Sequence, residues 1–114
     1  MNAASELPLS DWNWAELMLH QALVGAISPN FRLVELGFES GCWSIVVTLT
    51  EDRSDDREMV EEVCDDMSCY LMDLQGRISR AAEANCAATV VVSREPIIVD
   101  PASSRRRVFM MRQN

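Results

Sequence analysis

No lysine occurs among the 114 residues, and all ten basic side chains are arginines. That excludes a phosphate-loop lysine, a Schiff-base lysine and a lysine general base. Histidine is nearly absent too, with His20 alone and no acid or nucleophile identifiable beside it. The four glycines, Gly25, Gly37, Gly41 and Gly76, are scattered, so no glycine-rich loop can cradle a phosphate, and neither GxSxG nor HExxH occurs. Cys42, Cys64, Cys69 and Cys86 lack CxxC spacing and a companion histidine pair, so free thiols are expected rather than a zinc site. No apolar run approaches the roughly 20 residues that cross a bilayer. The opening MNAASELPLSDW has neither the charged start nor the apolar centre of a signal peptide. These absences predict a cytoplasmic protein with no catalytic residues, no cofactor, no bound metal and no membrane partner.

What is abundant is acid. Eighteen Asp and Glu residues leave a net charge of −8, and a phosphate backbone repels such a chain, so nucleic acid is not an expected partner. The acid is also concentrated: Glu51 to Asp66 contains nine carboxylates against Arg53 and Arg57. From Ser54 to Ile78 the apolar residues Val60, Val63, Cys64, Met67, Leu71, Leu74 and Ile78 recur on one narrow stripe, which predicts a long amphipathic helix. Asp55, Glu58, Glu61, Glu62, Asp65, Asp66 and Asp73 point away from that stripe, and Asp56 alone falls near it. Cys69 and Met72 lie at the end of the carboxylate row. Like charges at i,i+3 and i,i+4 spacing cost a few tenths of a kcal/mol per pair, and no basic residue interrupts them here. A solvated face is the ordinary reading of such a row, and a docking surface for a basic partner is the sharper one. The row is a poor catalytic centre, because carboxylates on one convex helix stay ionised and apart instead of converging in a cleft. Cys69, set among them, makes a poor nucleophile.

The rest of the chain supplies a second helix and a sheet. Ser10 is the expected N-cap of a helix running to about Ile27, with Leu9 stapled against Trp14 and Ser28-Pro29-Asn30 stopping it. Ala15, Met18, Leu19, Ala22, Leu23 and Ala26 form its main stripe, while Trp14, Leu17, Gln21 and Val24 form a second line, fit for burial or for a partner. Phe31–Glu39 and Cys42–Thr50 alternate in polarity around Ser40-Gly41 and predict an antiparallel hairpin. Ala87 to Arg94 predicts a buried third strand, Ile97-Ile98-Val99 an edge or loop, and Arg105 to Arg112 a fourth strand or tail. Arg105-Arg106-Arg107, the only basic cluster, could lie against the acidic helix or be solvated. The expected fold is α+β and one domain over 1–114. It has a single layer of mostly antiparallel sheet of about four strands, with two helices packed on one face, in the order α-β-β-α-β-β.

The stretch Ala22-Leu23-Val24-Gly25-Ala26-Ile27-Ser28-Pro29-Asn30-Phe31-Arg32, then Gly41-Cys42-Trp43, then Ser54-Asp55-Asp56-Arg57-Glu58-Met59-Val60-Glu61-Glu62, resembles small bacterial immunity proteins. These are the antidotes of polymorphic or contact-dependent growth inhibition toxins. The resemblance, over roughly residues 15 to 70, implies a non-enzymatic cytoplasmic protein that binds a cognate toxin domain, often a nuclease, and blocks its active site. An acidic helix suits that role, because a nuclease presents a basic cleft that ionised carboxylates can occupy in place of nucleic acid. The expected toxin-binding residues are therefore Asp55, Glu58, Glu61, Glu62, Asp65, Asp66, Cys69, Met72 and Asp73, on a chain that is a monomer or homodimer when free. A small acidic secretion chaperone, holding an exported protein through the second apolar line of the first helix, is the alternative. A small enzyme or ligand-binding regulator is a third class.

Overall fold

The computed structural model describes residues 8–74, 86–98 and 104–111, with residues 72–74 described as backbone. The elements follow the order α1 (Leu9–Leu23), β1 (Phe31–Glu39), β2 (Cys42–Leu49), α2 (Ser54–Leu74), β3 (Cys86–Val92) and β4 (Arg106–Met110). The four strands form one sheet in the order β3-β2-β1-β4. Residues 75–85, among them Ile78 at the end of the expected helical stripe, lie outside the described residues, as does Val99.

The hairpin forms where polarity alternates. Ser40 and Gly41 both have positive φ, 52° and 81°, the left-handed pair that turns two strands back on each other with their natural twist. Val34, Leu36 and Phe38 pair with Val47, Ile45 and Trp43, and all six side chains are buried. A register shift between Phe31 and Leu33 makes Arg32 an extra residue in β1. Without it, alternation would send Phe31 to the face opposite Val34; with it, Phe31 joins the core, and Arg32 Nη1 reaches the carbonyls of Ser93 and Glu95 at 2.6 and 2.9 Å.

The expectation of a mostly antiparallel sheet needs one correction. β1 pairs antiparallel with both β2 and β4, but β2 and β3 run parallel, so the sheet is mixed. The reason is the connection: α2 carries the chain back along the sheet before β3 begins, as a parallel pair requires. β3 is also not a well-buried strand. It forms an edge, and none of its residues is fully buried.

Both helices cover one face, α1 over the β4 side and α2 over the β3 side, and they touch each other. Ala15, Leu19, Ala22, Leu23 and Ala26 of the first helical segment meet Val60, Val63, Met67 and Leu71 of α2 and the inner face of the hairpin in one core. Trp43 lies at its centre, edge-on to Trp12 at 5.2 Å and tilted against Phe38 at 4.9 Å.

The ends of α1 differ from expectation. Pro8, not Ser10, is the cap residue, and Leu9 is a mostly exposed helical residue rather than a staple. Pro fits there because its missing N–H would have had no helical partner. At the other end Gly25, with φ of 78°, leaves the helix well before Ser28-Pro29, and Ala26 N donates to Leu23 O at 2.9 Å. Arg105–Arg107 does not meet the acidic helix, because β4 is the edge strand on the α1 side and α2 packs toward the opposite edge, over β3. Arg106 instead stacks on Trp12 at 5.2 Å and donates to Asn13 Oδ1 at 2.9 Å, while Arg105 lies 3.7 Å from Glu35.

Candidate partner-binding surface

α2 opens with Arg53 O accepting from Arg57 N at 3.0 Å, so Ser54 is its first helical residue and Arg53 occupies the cap position. The buried stripe of Val60, Val63, Met67 and Leu71 faces the core. Asp55, Glu58, Glu61, Glu62, Asp65, Asp66 and Cys69 are exposed on the far side, which gathers seven of the nine expected binding residues onto one convex face. The side chains of Met72 and Asp73 lie outside the described residues.

Two of the arginines near this row are engaged outside it, and the third reaches only its first member. Arg57 pairs with Asp52 at 2.5 Å, and that hydrogen bond holds the Asp52 carboxyl below its ordinary value. Arg94 pairs with Glu51 at 2.8 Å, and Arg53 approaches Asp55 at 3.8 Å. Glu58, Glu61, Glu62, Asp65 and Asp66 have no hydrogen-bond or ion-pair partner among the described residues. The face therefore carries a concentrated negative potential, relieved only at its first member, Asp55, by Arg53.

Asp56 has a different task from the acids around it. It is buried, and its two carboxylate oxygens accept from Ser28 Oγ at 2.9 Å and Asn30 Nδ2 at 2.8 Å. Asn30 also donates to Glu51 O at 2.8 Å and accepts from Glu51 N at 2.9 Å. This network ties the loop before β1 to the loop before α2 and to the first turn of that helix. Its sequence signal was the single carboxylate on the apolar side of the wheel; Ser28 and Asn30 gave no sign beyond their turn chemistry.

None of the four cysteines is in a disulfide. Cys64 Sγ donates to Cys86 O at 3.1 Å, and burial pushes both thiols up from their ordinary values. Among the described residues, no group of three or more His, Cys, Asp or Glu side chains is placed to hold a metal ion. None of their helices is long and apolar enough to cross a membrane.

Comparison with known families decides the class. The family described as MafI2 immunity protein matches residues 13–112. The chain belongs to the MafI2 immunity protein family. No curated protein matches it. The match runs from α1 through β4, so the acidic helix, the Asp56 network and every described strand of this immunity protein fall inside the family unit. The chain is thus a bacterial immunity protein of a polymorphic toxin system, whose family function is to bind and neutralise a cognate toxin. Immunity families are generally non-enzymatic, and family membership favours this reading over the secretion chaperone. The second apolar line of α1 is nonetheless half real: Leu17 and Val24 stand 50% and 82% exposed, with Trp14 half-buried beside them.

Proposed function

We propose that this immunity protein neutralises a basic nuclease toxin in the cytoplasm by laying the outer face of α2 across the toxin's phosphate-binding cleft. Asp55, Glu58, Glu61, Glu62, Asp65 and Asp66 meet the basic residues of that cleft, and Cys69, Met72 and Asp73 extend the contact. The observation that carries the reading is the row of five exposed carboxylates, Glu58 to Asp66, with no partner among the described residues. Leaving them uncompensated costs a few tenths of a kcal/mol per like-charged pair, a cost that a basic partner relieves. The same field accelerates capture, and an antidote benefits from speed as much as from affinity.

The test is charge reversal. Glu61, Glu62, Asp65 and Asp66 changed together to lysine should leave the unfolding free energy, read by urea, within about 1 kcal/mol of the parent, since all four side chains are exposed. Association with the cognate toxin domain should slow at least tenfold at low salt. The difference should shrink as ionic strength rises, because exposed charges are screened over roughly 10 Å at 0.1 M. An unchanged association rate in the folded variant would move the interface off α2.

A further inference from the structure

The two edges of the sheet are built differently. β4 is short, carries Arg106 and Arg107, and is interrupted by a register shift between Val34 and Glu35 of its neighbour. Charge, shortness and irregularity are the devices that keep an edge from recruiting another strand. β3 has none of them. Its seven residues, Cys-Ala-Ala-Thr-Val-Val-Val, contain no charge and no proline, and pair with β2 in unbroken register.

The direction of its peptide groups follows from the ladder. Ser93 N donates to Leu49 O at 2.9 Å. Peptide groups alternate sides along a strand, so Ala87, Thr89 and Val91 also point to β2, while Cys86, Ala88, Val90 and Val92 point outward. The Cys86 carbonyl fits this assignment, since it accepts from Cys64 on α2 rather than from β2. Ala88, Val90 and Val92 then present three N–H and three C=O groups along an edge that no described strand covers.

The flank of α2 beside this edge is acidic. Cys64 marks the side of the helix nearest β3; Arg57, held by Asp52, lies on that side, and Glu61 and Asp65, without partners among the described residues, lie one step further round and leave the flank net negative. Two copies joined through β3 about a twofold axis would set these rows against each other, so the charge opposes a second copy as the occupant. It favours an extended segment flanked by arginine or lysine. We infer that the outward edge of β3, which no described strand covers, is where the toxin adds a strand to the sheet of its immunity protein, with basic residues beside that strand meeting Glu61 and Asp65. This deepens the reading of α2 as the toxin-binding face and rests on it: the helix attracts the partner, and the edge fixes its register through backbone hydrogen bonds.

The test uses the whole chain and the cognate toxin domain with its catalytic residue disabled. Amide exchange at Ala88, Val90 and Val92 should slow at least 100-fold in the complex, because only added backbone bonds can protect groups that already face outward. Val90→Pro removes one outward N–H without touching the β2 ladder, and proline is tolerated at such a position. It should keep the parent's fold and raise the toxin dissociation rate at least tenfold, whereas Thr89→Pro breaks the ladder and serves as the unfolding control. If Val90→Pro does not fold, amide exchange on the parent decides. A complex in which those three amides exchange as fast as in the free protein overturns the edge and leaves the helix reading intact. A free protein that dimerises with the same amides protected makes a second copy the occupant and overturns the inference. No complex with the toxin domain at all overturns both readings.

Discussion

Asp56 and Glu58 stand two residues apart on α2, yet their truncation should have very different effects. Asp56→Ala removes a buried acceptor of two charge-assisted hydrogen bonds, from Ser28 Oγ and Asn30 Nδ2. Each such bond contributes about 1.5–3 kcal/mol. Part of the loss is recovered, because Asn30 Nδ2 keeps Glu51 O and Ser28 Oγ still accepts from Asn30 N at 3.2 Å. The net loss should be about 2–4 kcal/mol, while Asp56→Asn, which retains one acceptor oxygen, should lose less. Glu58→Ala, exposed and unpartnered among the described residues, should stay within about 0.5 kcal/mol of the parent. Urea unfolding reads this directly as a shift of midpoint at constant slope. A loss below about 1 kcal/mol for Asp56→Ala would refute the claim that this network joins the two loops. So would equal losses for the two variants.

Leu19→Ala should destabilise by about 2–5 kcal/mol from the packed core, whereas Leu17→Ala, half exposed on the same helix, should cost under about 0.5 kcal/mol in the same assay. Arg106→Ala should cost about 1–2 kcal/mol, because it removes the stack on Trp12 and the bond to Asn13 that hold β4 to α1. Thiol titration of the native protein should find Cys69 reactive and Cys86 protected until unfolding. Burial raises the folded-state values of Cys64 and Cys86 above the ordinary 9.0, so the folded protein holds these protons more tightly than the unfolded chain. The stability they contribute is therefore fully present below about pH 9 and declines above it, which a urea series from pH 8 to 10.5 would show as a falling midpoint.

The hairpin and α2 were legible in the sequence because each has a single dominant period. Alternation from Phe31 to Leu49 around Ser40-Gly41 admits one pairing, and the stripe through Val60, Val63, Met67 and Leu71 admits one buried side. The direction of β3 was not legible: Ala87 to Val92 reads the same whether it runs parallel or antiparallel, and only the path of α2 decides. α1 was read too long because Pro29 is the stronger stop signal, although Gly25 reaches a left-handed conformation first. The acidic face was visible residue by residue. What periodicity could not supply was the fate of its counter-charges, since the pairing of Arg57 with Asp52 and of Arg94 with Glu51 depends on loops. Nor could it locate Arg106, which belongs to α1's tryptophan rather than to any carboxylate of α2.

The parallel pairing of β2 with β3 also bears on how the antidote comes into being. The hairpin can close as soon as its own residues exist, but β3 reaches β2 in parallel only after α2 has been made and folded back, and β4 follows β3 in the chain. Contacts between distant parts of a chain are slow to form because the intervening loop must first lose its freedom. Pulse-labelled refolding should therefore protect the hairpin amides first and those of β3 and β4 later. A newly made chain would gain its negatively charged helix before the sheet beside it is complete, so the acidic face precedes the outer strands in time.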